Sequence, residues 1–141
     1  MKKLLVIFTL FAGLVSCSGG EKSAEMQNVE KDRVEVIYFH GKHRCPTCVG
    51  IENITKEVVN SMFADELKNG TLVFRTVDIS TAEGERLADK YEVTWSSLFV
   101  NKWKDGNETR DNMTDFAFGN ALDNPGTFKT GLADKINEFL K

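Results

Sequence analysis

Three cysteines occur in these 141 residues, and two of them, Cys45 and Cys48, stand two residues apart in His43-Arg44-Cys45-Pro46-Thr47-Cys48. A pair at this spacing supports three kinds of chemistry. It can exchange a disulfide with a partner, one thiolate attacking and the other resolving. It can offer two soft donors to a metal, with His40 and His43 as further ligand types within reach along the chain. Closed on itself it can staple a loop, although so short a loop removes little entropy from the unfolded chain. The choice among these depends on the compartment and on the element that carries the pair.

The chain opens MKKLLVIFTLFAGLVSCSGG, with Lys2 and Lys3 ahead of an almost unbroken apolar run from Leu4 to Val15. That run is shorter than the roughly 20 residues a helix needs to cross a bilayer, and a charged start before a short apolar centre marks a secretory signal. At its end, Leu14-Val15-Ser16-Cys17 resembles the lipobox of bacterial lipoproteins. The resemblance implies a signal peptide over residues 1–16, a diacylglycerol on the sulfur of Cys17, and a membrane attachment through that lipid. Ser18 is not the aspartate that retains enteric lipoproteins in the inner membrane. The expected location is therefore the bacterial cell envelope, at the outer membrane, with the domain in the periplasm or at the cell surface. Cys17 becomes a thioether, leaving Cys45 and Cys48 as the pair. The Asn-x-Thr sequons at Asn53, Asn69, Asn107 and Asn112 then read as ordinary surface residues.

Residues 17–33 are polar and mostly charged, with Met26 and Val29 as their only larger apolar side chains, and read as a tether that allows a short helix around 24–31. Residues 34–141 make one domain. Val34–Phe39 is β-branched and aromatic and reads as a strand. Ile51, Ile54, Val58, Met62 and Phe63 recur at helical spacing, so a helix is expected from Pro46 to about Leu67, ended by Asn69-Gly70. Thr71–Ile79 reads as a second strand, apolar enough to be central. Ser80 with Glu83 suggests a capping box for a helix over about 82–91. Asp105-Gly106 signals a hairpin, and Asn124 with Pro125 opens a last helix ending near Leu140. Phe116, Phe118 and Phe128 are expected to pack that helix onto the sheet. The order β-α-β-α-β-β-α implies parallel strands with helical crossovers, an antiparallel hairpin, and a three-layer α/β/α domain.

In this arrangement Cys45 caps the first helix and Pro46 takes its first position, where a missing N–H is harmless. The positive helix end and its unpaired amides favour thiolate at Cys45, lowering such cysteines to roughly 3.5–7.5, and Arg44 adds to this. Cys45 attacks and Cys48, one turn in, resolves. A strand, a C-x-x-C at a helix start, then β-α-β-β-α resembles the thioredoxin superfamily in its shorter form, lacking the N-terminal strand and helix. "VEVIYFHGKHRCPTCVGIENI" with "WSSLFV" is more narrowly similar to bacterial thioredoxin-like proteins that carry the name nitrophenyl compound nitroreductase subunit.

The resemblance implies a thiol–disulfide oxidoreductase whose redox centre is the Cys45–Cys48 disulfide, with no other cofactor, acting on partner proteins that bear thiols or disulfides. No flavin or nicotinamide fingerprint is present, and a net charge of −3 gives no reason to expect nucleic acid. The chain departs from the superfamily twice. Its only prolines are Pro46 and Pro125, so Ser97, or Ser96 in the neighbouring register, stands where a cis-proline would face the sulfurs. Phe39 occupies the place of a buried acid, leaving His40 or a water to move protons. A non-catalytic subunit or partner protein, and a soft-metal or arsenite site on Cys45, Cys48 and His43, are the alternative readings.

Overall fold

A computed structural model describes residues 31–141. The expected signal peptide, Cys17 and the tether up to residue 30 lie outside the described residues. β1 (Arg33–His40) is followed by α1 (Pro46–Met62), α2 (Ala64–Asn69), β2 (Leu72–Asp78), α3 (Ala82–Lys90), β3 (Ser97–Lys104), β4 (Asn107–Asn112), α4 (Thr114–Asn120) and α5 (Pro125–Leu140). The strands form one sheet in the order β2-β1-β3-β4, with β1 and β2 parallel and both other pairs antiparallel.

Alternation along β1 decides the layers. Val34, Val36 and Tyr38 face one side and join Ile51, Val58 and Val59 of α1 and Phe128, Leu132 and Ile136 of α5 in the larger core. Ile37 and Phe39 face the other side and meet Ala88 of α3, Tyr91 and Phe99. Helices thus cover both faces of the sheet, giving the expected three layers. β1 is buried on both faces because it is sandwiched twice, by strands at its sides and by helices above and below.

Four local expectations are corrected. β2 is an edge strand among the described residues; its apolar character comes from cover by helices on its faces, not from two neighbouring strands. The first helix stops at Met62, because Phe63 leaves helical geometry at φ −129° to bury its ring, and α2 then runs to the left-handed Gly70. Thr81, not Ser80, caps α3 by accepting the Gly84 N–H at 3.0 Å; Ser80 is held instead by the Asp78 carboxylate, through both its N–H and its hydroxyl. Asn124 precedes Pro125 as expected, but its side chain makes no capping bond. The hairpin turn places Asp105 and Gly106 at φ 50° and 75°, the pair of left-handed residues that a two-residue turn demands. All three phenylalanines join the core between α5 and the sheet as expected; Phe116 and Phe128 pack edge to face, and Phe118 also stacks on Trp95.

The hairpin is tied to the end of α3 by a polar knot. Glu108 of β4 takes the Tyr91 hydroxyl and the Arg110 guanidinium, and Asn101 donates to both Tyr91 (2.8 Å) and Glu108 (3.2 Å). Arg110 also lies 4.0 Å from the centre of the Tyr91 ring.

Gly84 is fixed by close approach. A Cβ there would overlap the Asp78 carbonyl oxygen, whereas one at Gly126 would meet nothing. Gly84→Ala is expected to lower stability by about 1–3 kcal/mol in urea melts. Gly126→Ala should leave stability unchanged or raise it by up to about 1 kcal/mol. Equal effects at the two positions would show that the Asp78 turn gives way freely.

Candidate functional site

β1 stays buried up to Phe39 and then releases the chain at His40, so residues 41–45 emerge at the carboxyl end of the sheet. Pro46 starts α1 there. Cys45 is its N-cap, in extended backbone at φ −74° and ψ 160°, and its Sγ accepts the Cys48 N–H at 3.1 Å. A sulfur occupies the place where a serine or aspartate oxygen ordinarily satisfies the first turn. Cys45 and Cys48 are joined by a disulfide with their Cα atoms 5.0 Å apart, within the ordinary span of such bonds. Cys45 is exposed, while Cys48 is only 7% exposed. The asymmetry expected from position along the helix is therefore present: one sulfur faces outside molecules and the other faces the core.

Beneath the pair, Tyr38 of β1 donates its hydroxyl to the Cys48 carbonyl at 2.7 Å. Burial pushes the Tyr38 phenol above its ordinary range, and hydrogen bonding with Ser96 and the charge of Arg44 pull against that. The phenol remains a neutral donor at physiological pH. The Arg44 guanidinium lies 5.9 Å from the centre of the Tyr38 ring and pairs with Glu52. Glu52 also receives Lys56 at 2.5 Å, and it is only 6% exposed. The positive charge beside Cys45 is thus shared with a buried carboxylate rather than directed at the sulfur alone.

Glu52 and Tyr38 are absent from the residues that the sequence singles out. Glu52 had a signal. It stands four residues after Cys48, on the same buried face of α1 as Ile51, Thr55, Val58 and Val59. Phe39, at the position of the superfamily's buried acid, points to the α3 side and stacks among Tyr91 and Phe99.

The remaining expected residues are dispersed. Pro46 holds the first helical position. His40 is half-buried, with its Nδ1 3.2 Å from the Gly41 carbonyl and its ring 6.3 Å from that of Tyr38. His43 is exposed on the loop. Among the described residues no three His, Cys, Asp or Glu side chains gather closely enough to hold a metal ion. Ser97 opens β3 opposite Phe39, and its hydroxyl donates back to the Trp95 carbonyl at 3.2 Å. Ser96, the neighbour in register, is the serine that reaches the Tyr38 hydroxyl. Every peptide bond among the described residues is trans. Three exposed apolar side chains adjoin these elements: Val49 follows Cys48, Trp95 (54% exposed) precedes Ser96, and Leu122 (55%) lies against Gly50. Trp95 stacks on Phe118, 5.0 Å between ring centres.

The strand order and the succession of elements are those of a thioredoxin-like α/β fold. No family model and no curated protein matches the chain. Among solved structures it is similar to a thioredoxin from Thermus thermophilus, at 26% identity and a TM-score of 0.39, over 55% of this chain and 58% of that one. The match therefore spans less than two thirds of the Thermus protein. It is also similar to thioredoxin O2 from Arabidopsis thaliana (18% identity, TM-score 0.49, 81% of this chain and 84% of that one). A third likeness is to thioredoxin-2 of a malaria parasite (19% identity, TM-score 0.47, 77% and 84%). The narrower similarity to nitroreductase-subunit proteins has no counterpart among these matches.

The Arg44–Glu52 pair yields a test. Arg44→Ala leaves a buried carboxylate with Lys56 as its remaining cation, and is expected to cost about 1–3 kcal/mol in urea melts at pH 7. Glu52→Gln in the Arg44→Ala background should recover part of that loss, since no charge then stays buried. A double variant as unstable as the sum of the two single ones would show that the residues act independently.

Proposed function

We propose that this chain is a thiol–disulfide oxidoreductase of the bacterial cell envelope, working through Cys45 and Cys48 and held to a membrane by lipid on Cys17. The observation that carries the reading is the placement of Cys45, an exposed sulfur at the N-cap of α1 bonded to a nearly buried Cys48. From the oxidised state, a partner thiolate attacks the Cys45 Sγ in line with the S–S bond, and Cys48 leaves as thiolate. A second partner thiolate then attacks the partner's own sulfur in the mixed disulfide and releases Cys45 as thiolate. The partner gains a disulfide and the pair gains two electrons. The reverse sequence, with Cys45 attacking and Cys48 resolving, reduces a partner.

The first turn of α1 favours the thiolate form of Cys45 in both directions, because the amide that now reaches its sulfur remains in place when the disulfide opens. Val49, Trp95 and Leu122 give a polypeptide partner apolar surface beside the exposed sulfur.

Cys48→Ser is expected to accumulate covalent mixed disulfides with partner proteins, because the attacking sulfur survives and its resolver does not. Cys45→Ser should trap few, and both should lose dithiol turnover to background. Alkylation of reduced protein should give Cys45 a pKa below the ordinary thiol value of about 8.5. Equal trapping and equal alkylation of the two sulfurs would overturn the assignment.

The anchor is tested separately. Protein isolated from membranes should have Cys17 as its mature N-terminus, with the mass of a diacylglycerol on its sulfur. Cys17→Ala should give an uncleaved or soluble form in which the domain still folds. An unmodified N-terminus downstream of Cys17 would remove the lipid from the reading.

A further inference from the structure

Tyr38 is wholly buried, and the thiol exchange set out above leaves its hydroxyl without a part. That hydroxyl donates to the Cys48 carbonyl at 2.7 Å and is reached in turn by the side chain of Ser96, itself buried just ahead of β3. A short chain of hydroxyls thus runs from the start of β3, through β1, to the first turn of α1. Ser97 stays outside it, donating to the Trp95 carbonyl at 3.2 Å. A phenylalanine ring would fill the same volume, and a buried hydroxyl costs free energy unless it is bonded. What the phenol adds over that ring is its hold on Cys48. Its single proton is committed to the carbonyl, and burial keeps it on the oxygen, so the group acts as a fixed donor rather than as an acid.

Cys48 is held from both sides of its backbone, its N–H by the Cys45 Sγ at 3.1 Å and its carbonyl by Tyr38. While the disulfide is closed, the S–S bond already keeps the two residues together, and the Tyr38 contact adds little restraint. Once the bond opens, the sulfurs separate to van der Waals contact, and the first turn of α1 is free to relax unless something else holds it. A fixed carbonyl therefore removes freedom from the reduced form and almost none from the oxidised one. It also keeps the two thiols at high effective concentration for one another. We propose that Tyr38, supported by Ser96, is a positioning residue of the redox pair, holding Cys48 so that the dithiol closes readily and the disulfide resists reduction. The inference rests on the reading of Cys45 and Cys48 as a thiol–disulfide pair and adds what sets its equilibrium. With oxidised glutathione as acceptor, the Cys45 thiolate attacks one glutathione sulfur and expels the other as thiolate. Cys48 then loses its proton to solvent and attacks the Cys45 Sγ, and the second glutathione leaves as thiolate, so the pair gives up two electrons.

The full chain in detergent is equilibrated with graded ratios of reduced to oxidised glutathione, and the state of Cys45 and Cys48 is read by alkylation and peptide mass. Tyr38→Phe removes the hydroxyl and keeps the ring. It is expected to lower the equilibrium constant for closing the disulfide roughly three- to tenfold. The Cys45–glutathione mixed disulfide should also reach a higher transient level in this variant, because resolution by Cys48 slows while attack at Cys45 does not. Ser96→Ala should shift the constant in the same direction by less. Gly84→Ala, which weakens the α3 side of the sheet away from the pair, should leave it at the wild-type value, since lost stability alone does not move a redox equilibrium. A constant unmoved or raised in Tyr38→Phe, or an equal fall in Gly84→Ala, would overturn the proposal. Should Tyr38→Phe not fold, an unmoved constant in Ser96→Ala decides against it. Trapping of partner proteins by Cys48→Ser is read on a different variant, so failure of the oxidoreductase reading is seen apart from failure of this one.

Discussion

A sulfur atom caps helix α1, and most of the site follows from that one contact. For the Cys45 Sγ to receive the Cys48 N–H, Cys45 must be extended and the next residue helical. Pro46 supplies the transition, since its ring sets φ for a first helical turn and it has no N–H to leave unsatisfied. The start of α1 must also be held still against the sheet. Tyr38 does this from below, its hydroxyl bonded to the Cys48 carbonyl and its ring buried under Arg44. The capping contact, the disulfide and the Tyr38 bond therefore fix a single segment from the amide side, the side-chain side and the carbonyl side.

Among the described residues two carboxylates are buried, at opposite ends of the domain, and each is supported in the same way. Glu52 lies among Arg44 and Lys56 close to the sulfurs; Glu35 lies among Arg33, Arg75 and the Trp103 indole at the far end. An isolated buried carboxylate is expensive, so both positions require more than one donor. That requirement explains why Arg44, adjacent to Cys45 in sequence, is turned partly towards the protein interior.

What could be read directly from the residues was governed by short-range chemistry. The β-branched run Val34–Phe39, the Asp105-Gly106 turn, Pro125 at a helix start and Cys45 as a cap each depend on neighbours within a few positions. The misplacements arose where a distant partner decided. Thr71–Ile79 looks central because both its faces are covered, and burial by helices leaves the same apolar imprint as burial by strands. Phe63 breaks the first helix because the core claims its ring, and Asp78 withdraws Ser80 from the role of cap. Within the site, the cysteine pair and its unequal exposure were legible from helix position. Tyr38 was not, because only strand register brings its hydroxyl beneath Cys48, and Glu52 stands outside the superfamily pattern, whose buried acid corresponds to Phe39 on β1.

The sheet is open at both sides, and its margins differ in how they treat a foreign strand. β4 is Asn107-Glu108-Thr109-Arg110-Asp111-Asn112, with no aliphatic side chain along its length. β2 carries Arg75 at its middle, drawn across to Glu35. An incoming strand would have to strip water from β4's charged groups, whereas at β2, which carries Leu72, Val73, Phe74 and Val77, it would have to displace Arg75 from Glu35. Molecules of this chain crowded side by side therefore meet a barrier of hydrated charge along β4, and along β2 the Arg75–Glu35 ion pair is what stands between one sheet and the next.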